Sequence, residues 1–355
     1  MSYKSLEIEH LRHLIHSRNT FVLATHVHPD GDAIGAIQAF ATFLRVLGKR
    51  VYVMVPNAYP DFLAFLDRSK EDKILIYKYK QKFCTLALRE ADAVICLDVN
   101  ALNRMYALGE EIASLSIPKV VIDHHPDPVL NDFDLTFSDS EMSSTCEVVY
   151  RVICALEMVS PFPVGAVEPL YVGIMTDTNN FFHTVSAGTF EVAAQLLRLG
   201  ASKEEIQQRV FGAFTEKRMR FMAHAVYNRM VLVRPYRAAY MTLSLVEQEQ
   251  FGFRPGDSEG FVNIPMNIKE VDVSMLFVET PDYIRVSLRS RNGVDVNEMG
   301  KRFFNGGGHK QASGGRLFCT FAELPGIIMQ ALFESEAPKE QGQTISELVN
   351  QSVNS

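Results

Sequence analysis

The sequence of 355 residues has few cysteines and no Cys-x-x-Cys pair. Its five cysteines stand far apart and mostly within apolar segments. This pattern predicts reduced, buried thiols and argues against a disulfide framework or a zinc site. The cysteines are Cys84, Cys96, Cys146, Cys154 and Cys319.

The sequence also lacks a long apolar run, a signal-peptide pattern and an excess of basic residues. Residues 1–19 are polar, and no stretch is apolar over a length that crosses a bilayer. The formal charge is −7, whereas proteins that follow long nucleic acids usually carry a basic face that neutralises phosphates. We therefore expect a cytoplasmic protein with no membrane partner and no long-duplex nucleic acid partner. A small nucleotide substrate is compatible with this charge.

A polar elbow near the N-terminus is the most informative stretch. The apolar run Phe21–Ala24 predicts a buried strand, His26, Asp30 and Asp32 follow it, and a helical pattern begins at Ala33. One imidazole and two carboxylates form a ligand set for a divalent ion such as Mn²⁺ or Mg²⁺. A helix N-cap aspartate with a solvent-facing neighbour explains the same residues. The elbow alone does not decide between the two interpretations.

Strands alternate with helices in the first part of the chain. This alternation predicts an α/β fold with βαβ units and a mostly parallel sheet flanked by helices. The further strands predicted there are Val51–Val55, Ala93–Leu97, Lys119–Ile122 and the apolar run Leu170–Met175. A helix is expected over Leu102–Leu115.

The rest of the chain predicts a second, smaller domain. The pattern is helical from Thr189 to Leu232, interrupted at Gly200 and Gly212, and its last helix is expected over Glu216–Val231. Beyond it, strands and two helices alternate. We therefore expect a catalytic domain over 1–200, a helical connector over 201–233, a smaller α/β domain over 234–335 and a loose polar tail over 336–355.

Acidic and imidazole groups follow four of the predicted strands. Because the carboxyl ends of parallel strands meet at one edge of a sheet, these groups are expected to gather there. The carboxylates of Asp30, Asp32, Asp98 and Asp177 would repel one another unless cations neutralise them, and two divalent ions supply the matching charge. Asp98 is placed to bridge such a pair. The alternative is a set of unrelated turn aspartates and core histidines. The groups are His26, Asp30, Asp32, Asp98, Asp123, His124, His125 and Asp177.

These motifs, in this order, resemble motifs I to IV of the DHH phosphoesterase superfamily. The segment Gly306-Gly307-Gly308-His309-x4-Gly314-Gly315 resembles the signature of the DHHA1 domain. The resemblance extends from Thr20 to Phe333 and is greatest to the nano-RNase/pAp phosphatase group. That group hydrolyses very short oligoribonucleotides and 3′-phosphoadenosine 5′-phosphate (pAp). The family usually has glycine where this chain has Asn179.

The resemblance implies a role for each motif residue. It assigns one Mn²⁺ to His26, Asp30 and Asp98, with Asp177 near or shared, and a second to Asp32, Asp98, His124 and Asp177. Mg²⁺ and Co²⁺ are possible substitutes. It places His125 at the phosphate and leaving oxygen, with Asp123 orienting the histidines.

The second domain is expected to bind substrate phosphate. Its glycine run allows backbone N–H groups to approach an anion, although a flexible loop has the same composition. Two arginines at a strand end match positions that the family places against phosphate, and a solvated strand edge is the alternative. The expected substrate-binding residues are Gly307, Gly308, His309, Ser313, Arg289 and Arg291.

Three further candidates have a structural alternative of at least equal weight. Residues 143–145 are able to contact substrate or to cap a helix, and Phe261 is able to stack on a base or to lie in the core. Arg104 is a weaker candidate for phosphate contact.

The sequence therefore predicts a Mn²⁺-dependent phosphoesterase that hydrolyses short oligoribonucleotides, pAp or both by a two-metal-activated water. The alternatives are a cyclic dinucleotide phosphodiesterase, a single-strand exonuclease and a non-catalytic nucleotide sensor. The sequence leaves the oligomeric state open, and a homodimer is among the states it allows.

Overall fold

A computed structural model describes residues 5–67, 73–212, 214–254 and 256–335. The chain divides into two compact units, Met1–Ala213 and Phe214–Ser355. This division falls within the predicted connector 201–233. The predicted polar tail over 336–355 lies outside the described residues.

The first unit is built on a six-stranded parallel sheet with the strand order β3-β2-β1-β4-β5-β6. The order reverses between β1 and β4, and in such sheets ligands bind in the crevice at the carboxyl ends of the strands where the reversal occurs. The strands are β1 Thr20–Ala24, β2 Arg50–Val55, β3 Leu75–Ile76, β4 Ala93–Leu97, β5 Lys119–Asp123 and β6 Leu135–Ser138. The α/β class predicted for this region is confirmed.

Helices cover both faces of this sheet. Alternate residues of β1 enter different cores: Phe21 and Leu23 pack with residues of α1, α2, α5 and α6, whereas Val22 and Ala24 pack with α3 and α4. The helices are α1 Ser5–Ser17, α2 Gly31–Val46, α3 Tyr77–Glu90, α4 Ala107–Ala113, α5 Thr145–Leu156, α6 Val164–Asp177, α7 Ala187–Arg198 and α8 Lys203–Val210.

The apolar run Leu170–Met175 is part of helix α6, so its prediction as a strand is wrong. Every residue from 169 to 175 is buried, because α6 packs against α2, α5 and α7. A helix that is buried on all sides carries no polar face, and its sequence cannot be distinguished from that of a buried strand by periodicity. Asp177 therefore stands at the end of a helix.

Three smaller features also differ from the predictions. Strand β6 was not predicted, and the helix expected over Leu102–Leu115 is a 3₁₀ turn (Leu102–Met105) and α4, separated at Tyr106 with φ 52°. Cys154 is exposed and Cys319 is half-buried, whereas buried thiols were expected. The spacing of cysteines along the chain does not reveal which face of an element each one occupies.

The second unit contains a six-stranded sheet with the order β11-β12-β10-β9-β8-β7. Its strand pairs are antiparallel except for β8 and β9, which are parallel. The strands are β7 Met230–Val233, β8 Ala238–Leu243, β9 Val273–Glu279, β10 Ile284–Ser290, β11 Gly307–His309 and β12 Ala312–Leu317. The helices are α9 Glu216–Asn228, α10 Leu245–Phe251, α11 Val296–Phe303 and α12 Leu324–Glu334.

Two segments of this unit are strands where other structure was expected. Helix α9 ends at Asn228, and the residues that follow pair with β8 as β7 instead of continuing the helix to Val231. The glycine-rich segment forms the hairpin β11–β12 rather than a loop. A Cβ on Gly306 would lie 1.8 Å from the carbonyl oxygen of Gly314, so the close pairing of these strands requires glycine.

No helix among the described residues is long and apolar enough to span a membrane.

Glycine at residue 173 is required where α6 approaches α2 and α5. A Cβ there would lie 2.1 Å from Cys146 Sγ and 2.7 Å from Asp32 Oδ1, both of which are buried. We expect Gly173→Ala to lower the free energy of unfolding by about 1–3 kcal/mol, because the close-packed core resists added atoms. Urea unfolding measures this difference.

Gly326→Ala is the matched control, since nothing lies within 4 Å of a Cβ at that position of α12. It is expected to leave stability unchanged or slightly higher, because alanine favours helix over glycine. A Gly173→Ala variant as stable as the wild type would contradict the packing described here.

Candidate active site and metal centre

The elbow after β1 satisfies both interpretations of its sequence. Asp30 caps helix α2, accepting hydrogen bonds from the backbone N–H groups of Asp32 at 3.0 Å and Ala33 at 3.1 Å. The ligand atoms of His26, Asp30 and Asp98 also lie within 4.8 Å of one another, in an arrangement that suits a metal ion. The cap fixes the carboxylate in place, so capping and ligation are compatible here.

The N-terminus of helix α5 holds the buried carboxylate of Asp32. The backbone N–H of Thr145 donates to Asp32 Oδ2 at 2.6 Å, and that of Cys146 donates to Oδ1 at 2.9 Å. Unpaired N–H groups and the helix dipole make a helix N-terminus favourable for an anion. Ser144 is the N-cap, so capping explains the Ser-Ser-Thr segment in part. The contacts of Thr145 and Cys146 were not predicted.

Asp98 follows β4 and contacts both sides of the site. Its Oδ2 lies 3.2 Å from His26 Nε2, and its Oδ1 accepts a hydrogen bond from Thr145 Oγ1 at 3.0 Å. Oδ1 also lies 3.8 Å from His124 Nε2. The backbone of Asp98 has φ 57°, an unfavourable value for a residue other than glycine that is often seen at functional sites.

A second group of donors is formed by Asp32, His124 and Asp177, whose ligand atoms lie within 4.8 Å of one another. His124 Nε2 is 3.5 Å from Asp177 Oδ2 and 3.9 Å from Asp32 Oδ2. Asp177 reaches this group from the last residue of helix α6. The structure thus brings together all the residues predicted as metal ligands, in two groups that meet at Asp98.

Asp123 and His125 form a pair beside these groups. His125 Nδ1 lies 2.8 Å from Asp123 Oδ1 and 3.6 Å from Asp98 Oδ1. Asp123 is fully buried, and its Oδ2 has no hydrogen-bond partner among the described residues. The Asp123 carboxylate holds the neighbouring imidazole at Nδ1, which leaves Nε2 as the atom able to exchange a proton with a ligand.

The titration behaviour of the site reflects an excess of negative charge. Burial raises the pKa of Asp32 well above its usual range, and the nearby carboxylates of Asp98 and Asp177 raise it further. Burial alone would lower the pKa of His124, but the surrounding carboxylates, Asp177 first, raise it to about 9. A site that attracts a positive charge this strongly, and that offers imidazole and carboxylate donors, fits divalent cations.

An open cavity of about 450 Å³ adjoins His125 in the first unit. It lies between the segment after β5, strand β6 and helix α1, and so it provides space for part of a ligand next to the imidazole. Its lining residues are Glu7, His125, Pro126, Asp127, Pro128, Leu130, Thr136, Phe137, Ser138 and Ser140.

The residues predicted to bind phosphate lie on the second unit. The hairpin β11–β12 carries Gly307, Gly308, His309 and Ser313. The N–H of Gly308 donates to Asn297 Oδ1 at 2.9 Å, which fixes the strand of the hairpin that precedes the turn. The phosphate-binding role of these residues stays a prediction.

The two predicted arginines differ in their surroundings. Arg289 lies within β10, and its Nη1 donates to the carbonyl oxygen of Leu288. Arg291 follows the strand and contacts the Asp272 carboxylate and several carbonyl oxygens, which ties the loop before β9 to the sheet. Arg291 therefore has a structural role, and its phosphate-binding role stays a prediction.

Two weaker candidates have structural roles. Phe261 is 1% exposed and packs with Phe221 in the core of the second unit, so the core alternative is confirmed for this residue. Arg104 Nη1 donates to Asn100 Oδ1 at 3.3 Å in the segment after β4.

Apart from histidine, Thr145 is the one described residue whose side chain donates a hydrogen bond to the Asp98 carboxylate. We expect Thr145→Val to lower the affinity for Mn²⁺ by roughly 10- to 100-fold, because loss of such a supporting hydrogen bond disorders a ligand. Valine keeps the shape of the side chain, and the backbone N–H to Asp32 is retained. The rise in unfolding temperature on titration with Mn²⁺ measures the affinity.

Thr145→Ser keeps the hydroxyl and is the matched control. It is expected to bind Mn²⁺ as the wild type does. If Thr145→Val also gave the wild-type titration curve, Thr145 would have no part in positioning Asp98.

Two regions of the chain match known protein families. Residues 20–174 match the DHH family, N-terminal domain, and residues 237–318 match the DHHA1 domain. The first match covers the strands and the elbow that carry the ligand candidates other than Asp177, and the second covers β8 to β12 with the glycine-rich hairpin.

Individual relatives support this assignment. The bifunctional oligoribonuclease and PAP phosphatase NrnA of Thermus thermophilus is 28% identical over 90% of this chain and 89% of that protein. A membrane protein-large ribosomal subunit bL9 fusion protein of Onion yellows phytoplasma is 26% identical over 82% of this chain, but the match spans only 34% of that protein's length.

Among solved structures, an exopolyphosphatase-related protein from Bacteroides fragilis is similar over almost the whole chain. It shares 37% sequence identity, with a TM-score of 0.85, and the alignment covers 93% of this chain and 96% of that one. The two domain matches, this relative and the arrangement of the motif residues lead to one conclusion: the chain belongs to the DHH phosphoesterase superfamily and carries a DHHA1 domain.

Proposed function

We propose that this phosphoesterase hydrolyses short oligoribonucleotides and pAp. The observation that carries the proposal is the pair of donor groups, largely buried except for Asp177, that meet at Asp98. The names of NrnA-type relatives, one of which matches 90% of the chain at 28% identity, give the substrate class. An intact set of donors favours an enzyme over a nucleotide sensor, since a sensor does not need to activate water.

The site would hold two divalent cations, with Mn²⁺ proposed as the native ion and Mg²⁺ or Co²⁺ as substitutes. His26, Asp30 and Asp98 are the ligands proposed for one ion. Asp98 would also contact the second ion, with Asp32, His124 and Asp177 as its other ligands. When bound, such ions lower the pKa of a water and offset the charge of phosphoryl oxygens.

His125 is proposed to act on the substrate, because its position and hydrogen bond suit proton transfer. The Asp123 carboxylate holds Nδ1 at 2.8 Å and fixes the orientation of the ring. Burial lowers the pKa of His125 in spite of the neighbouring carboxylates, so the ring does not retain a proton as strongly as His124 does. His125 Nε2 would carry the proton that the leaving oxygen takes.

The DHHA1 domain is proposed to anchor a terminal phosphate. The half-buried glycines of β11 precede His309, and Ser313, which is 5% exposed, belongs to the same hairpin. Arg289 would add positive charge on the neighbouring strand β10. Such an anchor would favour substrates of a few nucleotides, because binding one end of a short chain restricts the positions open to its reacting phosphate.

The proposal predicts that initial turnover falls as the substrate becomes longer. We would measure hydrolysis of single-stranded RNA of two to about twenty-four nucleotides, together with pAp and cyclic dinucleotides, with Mn²⁺ and after removal of metal by EDTA. Dinucleotides and pAp should be hydrolysed fastest, and EDTA should abolish turnover, which re-added Mn²⁺ restores.

Each competing function gives a different result in this panel. A rate that rises with length, or processive degradation, identifies a single-strand exonuclease. A preference for cyclic dinucleotides identifies a cyclic dinucleotide phosphodiesterase. Binding without turnover of any substrate identifies a sensor.

The two adjacent histidines are expected to differ in function. His125→Ala should lower turnover by roughly 10²- to 10⁴-fold, the range for acid–base groups, with the Mn²⁺ content unchanged. His124→Ala should lower the Mn²⁺ content, because its imidazole lies within the donor group of Asp32 and Asp177. Elemental analysis of both folded variants measures the content. Equal metal loss in the two variants would refute this division of roles.

A further inference from the structure

The loop after helix α6 exposes a phenylalanine ring close to Asp177. The side chain of Phe182 is 70% exposed, and the ring of His183 contacts it edge-on at a centroid distance of 4.6 Å. A single exposed apolar residue is common on protein surfaces and needs no explanation by itself. In this loop, however, hydrogen bonds fix the backbone in a conformation that leaves the Phe182 side chain in the solvent.

Hydrogen bonds to one residue fold the loop tightly. The carbonyl oxygen of Thr178 accepts from the N–H groups of both Phe182 and His183 at 2.9 Å. The Thr178 hydroxyl donates to the carbonyl of Ile174 at 2.6 Å and accepts from the N–H of Phe181 at 2.9 Å. Thr178 is fully buried. The loop is therefore fixed to the end of α6.

The loop keeps an unfavourable backbone conformation. Four of its non-glycine residues have φ between 47° and 63°, a region that costs roughly 1–3 kcal/mol for such residues and that is often found at ligand sites. These residues are Asn179, Asn180, Phe181 and Thr184.

Of the two neighbouring phenylalanines in the loop, one packs against the core and the other is exposed to solvent. The ring of Phe181 packs between Tyr171, at a centroid distance of 5.9 Å, and Phe190, at 5.7 Å. This contact anchors the loop, while the next residue, Phe182, extends outward. Phe181 already supplies the aromatic ring that packs against the core at this place. The exposed ring of Phe182 is therefore not needed to fill the core.

The backbone that carries the exposed ring lies close to the metal-ligand group. Phe182 N is hydrogen-bonded to the carbonyl of Thr178, the residue after Asp177, so the Cα atoms of Phe182 and Asp177 are at most roughly 11 Å apart. The Asp177 carboxylate belongs to the donor group of Asp32 and His124. A nucleotide whose phosphate lies at this group extends its sugar and base over a distance of this order.

We propose that Phe182 is a stacking platform for a nucleobase of the substrate, an inference that rests on the proposed function. An aromatic side chain stacks on the face of any base without reading its identity. The site would therefore require a stackable base beside the reacting phosphate and accept all four bases. This requirement restricts the substrate class to nucleotides with an unpaired base.

Kinetics on base-bearing and abasic substrates test the proposal. The diadenosine dinucleotide ApA would be compared with two counterparts, each with an abasic ribose in place of one adenosine. Phe182→Ala should lower kcat/KM for ApA by roughly 5- to 150-fold, mainly through KM, because stacking is made already in the bound substrate. For the counterpart that lacks the stacked base, Phe182→Ala should have the same kcat/KM as the wild type.

Conservative variants separate stacking from simple packing. Phe182→Tyr retains an aromatic face and should keep the wild-type kcat/KM, whereas Phe182→Leu is apolar without a ring and should behave as Phe182→Ala does. Phe83→Ala is the matched control, because Phe83 on α3 is 53% exposed and lies on the other face of the sheet. Phe83→Ala should leave kcat/KM unchanged for ApA and for both abasic counterparts.

A fluorescence measurement tests binding independently of turnover. The sequence contains no tryptophan, so Phe182→Trp introduces the single indole of the chain. Stopped-flow mixing with ApA and Mn²⁺ should quench its emission before turnover, and mixing with the corresponding abasic counterpart should not. Phe83→Trp should show no quenching by either ligand.

The possible results distinguish this inference from the proposed function. If the enzyme does not hydrolyse ApA, but ApA quenches the emission of Phe182→Trp, the proposed function is refuted and the stacking platform is retained. Equal losses for ApA and both abasic counterparts in Phe182→Ala, or wild-type behaviour of Phe182→Leu, would overturn the platform. So would a change from dimer to monomer on Phe182→Ala, which would show that the ring contacts another copy of the chain.

Discussion

The repulsion among carboxylates, two of them buried, is the constraint on which the site depends. Asp32, Asp98 and Asp177 meet in one place, and Asp32 and Asp98 are 1% and 2% exposed. Their combined charge outweighs the cost of burying a proton on His124 and raises its pKa to about 9. Such a cluster persists in a folded protein because hydrogen-bond donors of the protein, and cations of the kind proposed here, compensate its charge.

Much of the first unit either supplies hydrogen-bond donors to these carboxylates or brings the carboxylates close to one another. The sheet reverses its strand order between β1 and β4, so the elbow and Asp98 open into the same crevice. Helix α5 directs two backbone N–H groups at Asp32. Helix α6 passes α2 and α5 closely enough to deliver Asp177 only because Gly173 has no side chain. The loop that continues from α6 then displays Phe182 on a folded backbone.

The site illustrates how one residue serves folding and function together. Asp30 caps helix α2 and also belongs to a group of potential ligands, and Asp123 is a buried strand residue that holds the His125 ring. The sequence presented capping and ligation by Asp30 as alternatives. In the structure, the hydrogen bonds of the cap use one carboxylate oxygen, so the two roles do not compete.

The sequence by itself determined strands β1, β2, β4 and β5 of the first sheet and the identity of the motif residues, because a buried strand followed by polar residues is a local pattern. It also offered residues 143–145 as a helix cap, which the structure places at Ser144, because capping depends on residues close in sequence. Tertiary structure alone decided that Leu170–Met175 is helical, since a fully buried segment has no polar face to reveal its period. It also decided that Thr145 and Cys146 hold Asp32, because this contact joins residues 113 and 114 positions apart through backbone N–H groups that every residue except proline possesses.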